Sequence, residues 1–124
     1  MTLDNPDNAP TVLIVEDEFL IGLDMEIMLQ DCGYGTLGPC DTVVSAMQAL
    51  DDNHVDAAVL DLDLQDGSSV AVAERLRQQD TPFLFATGRP RKIPEPFADC
   101  ARLTKPCNRV QLERALDDIL GGPD

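Results

Sequence analysis

Positive charge is scarce in this sequence. Nine Lys and Arg residues stand against 23 Asp and Glu residues, so the formal net charge at pH 7 is −14. Nucleic acids and anionic membrane surfaces need a basic footprint on the proteins that bind them. The composition therefore argues against both kinds of partner.

Long apolar runs are also missing. No stretch approaches the roughly 20 consecutive apolar residues that a membrane-spanning helix needs. The first ten residues, MTLDNPDNAP, have neither the basic cluster nor the apolar run of a secretory signal. We therefore expect a cytoplasmic protein. Its 124 residues, 44% of them hydrophobic, suit one globular domain.

Signatures of structural zinc and of a disulfide framework are absent as well. The sequence has one histidine, His54, and four cysteines without a CxxC pair: Cys32, Cys40, Cys100 and Cys107. Structural zinc sites need closely spaced Cys or His pairs. We expect four reduced, mostly packed thiols and a surface histidine.

The sequence does contain a regular alternation of strand and helix patterns. The aliphatic run TVLIV at Thr11–Val15 is typical of a strand buried on both faces. Further strands are predicted at 34–37, 56–61, 82–86 and 101–104. Between them lie helical patterns, with Gly33 ending the first helix, Asp41 or Thr42 capping the second, and Ser68 or Ser69 capping the third.

One interval breaks the alternation. The stretch GRPRKIPEPFAD, residues 88–99, contains Pro90, Pro94 and Pro96. A proline inside a helix costs about 3 kcal/mol or more, so we expect the fourth helix to be short, irregular or absent. The whole pattern predicts an α/β fold with one doubly wound, five-stranded parallel sheet and helices on both faces. The predicted domain spans 11–120, with a disordered polar lead at 1–10 and a tail at 121–124.

Polar side chains follow successive strands of this predicted sheet. Glu16 and Asp17 follow the first strand, Asp61 the third, Thr87 the fourth and Lys105 the fifth. Because parallel strands end at one edge of the sheet, and binding sites lie there, these groups are expected to converge. Clustered carboxylates repel one another, so a cation is implied. Oxygen ligands with few protein groups suit Mg²⁺, and Mn²⁺ is possible.

Each feature alone also has a simpler structural explanation. The acidic run at 16–18 can complement the positive end of the next helix. Asp63 and Asp66 can be turn formers, and Lys105 can mark a strand exit. Their joint placement, in order, favours phosphoryl chemistry instead, with a carboxylate nucleophile, a divalent cation, and hydroxyl and ammonium groups facing the oxyanions.

Four motifs together carry a resemblance to a known family. The stretches VLIVEDE, VLDLDL, FATG and LTKP resemble the response-regulator receiver domain of two-component signalling over 12–120. The resemblance implies the flavodoxin-like strand order 2-1-3-4-5. It also implies that Asp61 accepts a phosphoryl group from a sensor histidine kinase or a histidine phosphotransfer protein.

The resemblance also implies roles for the other residues at the sheet edge. Glu16 and Asp17 match the acidic pair that, with Asp61 and the backbone carbonyl of Asp63, organises Mg²⁺. Thr87 and Lys105 match the switch hydroxyl and the phosphate-pairing lysine. The bond from Lys105 to the following proline resembles one that is usually cis in the family.

The chain differs from most receivers at two places. Only six steps separate Asp61 from Gly67, without a proline, and Arg102 stands where an aromatic residue is usual. The short loop, the FATG motif and the proline-rich segment are similar to the FAT GUY subgroup. Its members tend to be stand-alone receivers tied to general stress signalling in bacteria.

Two other classes remain as alternatives. A haloacid-dehalogenase-like aspartyl phosphatase also uses an Asp-x-Asp pair, which Asp61 and Asp63 mimic, but its other motifs are missing. A flavodoxin-like electron carrier needs a phosphate loop where this chain has Glu-Asp-Glu.

We expect a stand-alone receiver rather than an enzyme with its own substrate, capable only of self-phosphorylation and slow self-dephosphorylation. From the polar start and the short tail we expect no output domain. Output is then expected through a protein partner or by draining phosphate from another regulator.

Overall fold

The computed structural model of the protein describes residues 9–88 and 93–121, and the predicted lead and tail lie largely outside these ranges. Its strands are β1 (Thr11–Val15), β2 (Gly35–Cys40), β3 (Ala57–Leu60), β4 (Asp63–Leu64), β5 (Gly67–Ser68), β6 (Phe83–Thr87) and β7 (Arg102–Thr104). Its helices are α1 (Phe19–Asp31), α2 (Val43–Asp52), α3 (Val70–Gln78) and α4 (Arg109–Ile119).

Five of these strands form one parallel sheet in the order β2-β1-β3-β6-β7. Counting only these five strands along the chain, the order is 2-1-3-4-5, which confirms the predicted flavodoxin-like architecture. The remaining two strands, β4 and β5, form a small antiparallel hairpin that the sequence pattern did not predict. The order reverses at β1, so the ends of β1 and β3 lie at the centre of the working edge.

Side chains of β1 alternate between two cores, as the two-residue period of a strand requires. Val12 and Ile14 pack in the core shared with α1 and α4. Leu13 and Val15 pack in the core shared with α2 and α3. Because both faces are covered, every residue of β3 is buried too, which explains its run of apolar residues.

Strand β2 is longer than the predicted 34–37. It continues through Gly38 and Pro39 to Cys40, with a shift in register opposite β1. Gly38 has a φ of +99°, and a Cβ there would lie 2.6 Å from the Ile14 carbonyl oxygen, so glycine is required. Proline is tolerated because β2 is an edge strand.

The helix ends lie at the predicted residues. Thr42 caps α2, accepting the Ser45 N–H at 3.0 Å, and Gly33 follows α1 with a φ of +94°. Ser69 precedes α3 without capping it by its side chain. Its hydroxyl instead donates to the Leu62 carbonyl oxygen at 3.2 Å, whereas the hydroxyl of the other predicted residue, Ser68, accepts the Val70 N–H at 3.2 Å.

Turns, not a helix, make up the described part of the proline-rich segment, residues 93–99. Phe97 is buried and packs edge-on against Phe83 and Phe85, with ring centroids 5.9 and 6.4 Å away. The Arg77 guanidinium lies 4.4 Å from the Phe97 ring centre. Buried side chains therefore anchor this segment, where prolines deny it helical hydrogen bonds.

Candidate functional site

The ends of three parallel strands bring charged residues together. Backbone hydrogen bonds join Asp61 N–H to the Val15 carbonyl oxygen and Lys105 N–H to the Thr87 carbonyl oxygen, both at 2.8 Å. Each bond continues the ladder one residue beyond its strand. The side chains that follow β1, β3 and β7 are therefore aimed from a rigid edge rather than from a loose loop.

Lys105 lies between two of the carboxylates. Its Nζ is 2.6 Å from Glu16 Oε1 and 3.6 Å from Asp61 Oδ1. The Glu16 side chain is 0% exposed and the Lys105 side chain 8% exposed. Glu16 Oε2 also accepts the Glu18 N–H at 3.1 Å. Both Glu16 oxygens thus have hydrogen-bond donors, as a buried carboxylate requires.

The electrostatics of this cluster are unusual at Asp61. Burial, together with the nearby negative charges of Glu16 and Asp17, raises the pKa of Asp61 from 3.8 to about 7, although Lys105 opposes the shift. Burial alone would lower the pKa of Lys105. The hydrogen bond and charge of Glu16 and the charge of Asp61 outweigh that effect, so the Lys105 pKa is raised.

Three carboxylates of the cluster are placed to share a cation. Glu16, Asp17 and Asp61 each offer an oxygen, and these oxygens lie within 4.8 Å of one another. One ammonium cannot neutralise three carboxylates, and a hard divalent ion with oxygen ligands suits what remains. The residues present therefore fit Mg²⁺. The backbone of Asp63 opens the hairpin two residues after Asp61.

The remaining predicted residues lie at the same edge. Thr87 is the last residue of β6, is 6% exposed, and pairs with Thr104, the neighbour of Lys105. The bond between Lys105 and Pro106 is cis. Arg102 is exposed, and its guanidinium donates to the Ala98 carbonyl oxygen at 2.7 Å.

Sequence reasoning missed the contacts of Asp66. Its Oδ1 accepts the Val43 N–H at 2.7 Å and its Oδ2 accepts the Val44 N–H at 3.3 Å. These bonds lower the pKa of Asp66. Asp66 lies in the turn of the hairpin, as a turn former should, yet it caps a helix 22 residues earlier in the chain. No local pattern signals that second contact.

Sequence reasoning also missed the exposed apolar surface of α1. Phe19 and Leu20 are 76% and 75% exposed, and Leu23 and Ile27 are exposed further along the helix. A pocket of about 390 Å³ lies between this helix and the end of β7, lined by residues that include Leu20, Met25, Lys105, Pro106 and Cys107. The helix is apolar around its circumference, so its sequence does not reveal which side faces solvent.

A pH dependence of stability follows from the raised pKa of Asp61. Protonated Asp61 favours the folded state, and this contribution is lost as pH rises from about 3.8 through about 7. In metal-free buffer, Asp61→Asn should therefore be more stable than the wild type at pH 8, by about 1 to 3 kcal/mol, after allowance for solvent screening. Urea unfolding at pH 5 and pH 8 measures the difference.

The same comparison contains its control. Carboxylates remote from the cluster contribute equally to both proteins, so the stability difference reports the charge of Asp61 within its cluster, and it should shrink towards pH 4. The exposed variant Asp51→Asn should show no such growth with pH. A constant difference between wild type and Asp61→Asn at both pH values would contradict the electrostatic origin.

The fold and the site define an α/β domain of the flavodoxin-like type with an acidic centre at the carboxyl ends of its strands. The chain belongs to the response regulator receiver domain family, because the family model matches residues 12–117. It is accordingly a receiver domain of two-component signalling.

Individual relatives agree with this assignment. The solution structure of SdrG from Sphingomonas melonis Fr1 is 38% identical with a TM-score of 0.81, covering 90% of this chain and 97% of that one. PhyR from Brucella abortus is 29% identical with a TM-score of 0.79, covering 91% of this chain and 48% of that one.

Among curated sequences, the phyllosphere-induced regulator PhyR of Methylorubrum extorquens is 32% identical over 110 residues. The match covers 82% of this chain but 41% of that protein. The regulatory protein VanR of Enterococcus faecium is 29% identical over 83 residues, which cover 66% of this chain and 36% of VanR. The chain thus spans about two fifths of the length of these relatives. Within the described residues, no helix is long and apolar enough to cross a membrane.

Proposed function

We propose that this receiver takes a phosphoryl group onto Asp61 from a phosphohistidine of a sensor histidine kinase or a histidine phosphotransfer protein. The convergence of Asp61 with Glu16, Asp17 and Lys105 at the carboxyl edge of the sheet supports this proposal most directly. Membership of the receiver family favours it over the phosphatase and electron-carrier alternatives.

The reaction assigns a role to each side chain. An Asp61 carboxylate oxygen attacks phosphorus, the bond from phosphorus to the histidine nitrogen breaks, and an acyl phosphate forms. Lys105, whose Nζ is 3.6 Å from Asp61 Oδ1, is within reach of the new phosphoryl oxygens. Thr87, the last residue of the neighbouring strand β6, lies at the same edge and carries the hydroxyl proposed to meet the phosphoryl group.

Mg²⁺ would be held by Asp17, Asp61 and the backbone carbonyl of Asp63, with Glu16 beside it. Bound there, it supplies positive charge to an otherwise repulsive centre. Asp17 would help to hold the ion. Glu16 positions Lys105 through the 2.6 Å hydrogen bond from Nζ to Oε1.

We propose a physiological role from the descriptions of two relatives. One PhyR is described as a stress response regulator and another, from Bartonella quintana, as an anti-anti-sigma factor. The first description supports a role in general stress signalling, and the FATG motif and the short loop after Asp61 support assignment to the FAT GUY subgroup. We propose a cytoplasmic protein that catalyses only its own phosphorylation and slow dephosphorylation. Its output runs through a protein partner or through draining phosphate from another regulator.

Incubation with acetyl phosphate and Mg²⁺, followed by intact mass measurement, tests the central proposal. A mass gain of one phosphoryl group, located at Asp61, is the expected result. Turnover of a free phosphomonoester would favour the phosphatase alternative.

We expect a protein donor to contact the exposed apolar end of α1. A phosphohistidine reaches Asp61 only if the donor covers the rim of the site, and Phe19 and Leu20 stand on that rim, directly after the acidic run at 16–18. Burying such side chains contributes about 1.5–3 kcal/mol each. The double variant Phe19→Ser/Leu20→Ser should slow phosphotransfer from a phosphorylated kinase by about tenfold or more.

Two comparisons separate docking from chemistry. Labelling by acetyl phosphate should be unchanged in the double variant, because that donor needs no protein surface. Ile27→Ser, two turns further along the same helix, should have a smaller effect. Equal slowing with both donors would mean that the substitutions damage the site itself.

A further inference from the structure

The hairpin that follows Asp61 is too small to hold its own shape. Strands β4 and β5 contain two residues each and pair Asp63 with Ser68 and Leu64 with Gly67. An isolated two-stranded hairpin is marginally stable at best in water. Its conformation therefore depends on contacts with the rest of the domain.

Three contacts of the described residues anchor this loop. At its base, the Leu62 carbonyl oxygen accepts the Ser69 N–H at 3.0 Å and the Ser69 hydroxyl at 3.2 Å. The side chains of Leu62 and Leu64 are buried in the core shared with α2 and α3. At its tip, Asp66 accepts two backbone hydrogen bonds from the start of α2, one on each carboxylate oxygen.

We propose that Asp66 is a positioning residue for the metal centre: its two hydrogen bonds to the first turn of α2 fix the hairpin that presents the backbone of Asp63 beside Asp61. This inference rests on the proposed function, because the Asp63 carbonyl is taken there as a ligand of Mg²⁺. Asp66 itself does not bind the ion.

The position of the loop tip determines what fraction of the molecules has a binding-competent loop. If the tip is released, the loop samples conformations in which the Asp63 carbonyl is displaced, and apparent affinity falls by the fraction that remains competent. The bonds of Asp66 are charge-assisted and lie at the positive end of a helix, a favourable setting for a carboxylate. Only Leu64 and Gln65 separate Asp63 from Asp66 at the tip, so the chain has little slack between the tip and the Asp63 carbonyl.

The test is a titration of Mg²⁺ into the full chain, followed by the amide NMR signals of Asp61 and Asp63. Asp66→Ala should weaken Mg²⁺ binding by about three- to tenfold, as expected if a third to a tenth of the loops stay competent. In metal-free protein, the Ser69 amide should exchange with solvent faster in this variant than in wild type. Asp66→Asn, which keeps one acceptor oxygen for the shorter bond from Val43, should lie between wild type and Asp66→Ala in both measurements.

Thr42→Ala is the matched control for helix stability. It removes the other cap of the same helix turn, where Thr42 Oγ1 accepts the Ser45 N–H, and caps of this kind contribute about 1 kcal/mol. It should lower the melting temperature as Asp66→Ala does while leaving Mg²⁺ affinity unchanged. Titration in 0.5 M NaCl suppresses any long-range effect of the lost charge.

The outcomes separate the two proposals. If wild type and Asp66→Ala bind Mg²⁺ with equal affinity, the positioning role alone is overturned. Equal weakening in Asp66→Ala and Asp66→Asn, vanishing in high salt, would show a charge effect and also overturn it. No magnesium-dependent shift at Asp61 in wild type would overturn the metal site and this inference together.

Discussion

Asp61→Asn should abolish the gain of a phosphoryl group from acetyl phosphate. The amide has no anionic oxygen to attack phosphorus, and no other carboxylate of the cluster is placed in the same way. Glu16 is 0% exposed with both oxygens hydrogen-bonded, so it cannot take over the reaction. Intact mass measurement of wild type and variant, with Mg²⁺ and with EDTA, gives the result directly.

Removal of the metal and two further variants serve as controls for this experiment. Wild type should gain the phosphoryl group with Mg²⁺ and not with EDTA, because three carboxylates repel the incoming donor. Asp17→Asn should reduce labelling strongly while leaving Asp61 present. Asp51→Asn, at an exposed surface pair, should label normally. Undiminished labelling of Asp61→Asn would refute the assignment of the acceptor.

Lys105→Met should destabilise the folded protein by about 3 kcal/mol in metal-free buffer at pH 8, because removing one partner leaves a buried charge uncompensated. The partner left behind is Glu16, which the Lys105 ammonium contacts at 2.6 Å, and Asp61 loses its neutralising neighbour as well. Methionine keeps the apolar stem of lysine, so the loss reports charge rather than packing. Urea unfolding measures it.

A surface ion pair provides the control. Arg75 and Asp51 are 2.8 Å apart, but the Asp51 side chain is 61% exposed. Arg75→Met should therefore cost only about 0.2–1 kcal/mol. Adding Glu16→Gln to Lys105→Met should recover part of the lost stability, since the uncompensated charge is gone. Similar small losses in both single variants would mean that the Lys105 pair is not effectively buried.

Much of the candidate site is predictable from the sequence because its residues follow strands. A buried parallel strand is a local pattern, and such strands end at one edge, so Glu16, Asp61 and Lys105 could be placed together without coordinates. The structure does bring them to that edge. Their roles in phosphoryl transfer are predictions that labelling of Asp61→Asn and Asp17→Asn tests.

Contacts between segments distant in sequence were not predictable. That Lys105 lies nearer to Glu16 than to Asp61 depends on the exact packing of β1 against its neighbours. The extension of β2 through Gly38 depends on a register shift opposite β1. In the sequence alone, Gly38 and Pro39 predict the end of a strand. The tie from Asp66 to Val43 joins residues 23 positions apart.

The sequence by itself determined the α/β class, the five-stranded parallel sheet, the irregular segment at 93–99 and the set of residues at the working edge. Each of these follows from periodicity, from proline chemistry or from the position of a residue relative to its own strand. The tertiary structure alone decided which donor meets which acceptor, as Asp66 and Glu16 illustrate. Hydrogen bonds and ion pairs are effective over about 3 Å, and only the packed arrangement of the elements brings distant segments within that distance.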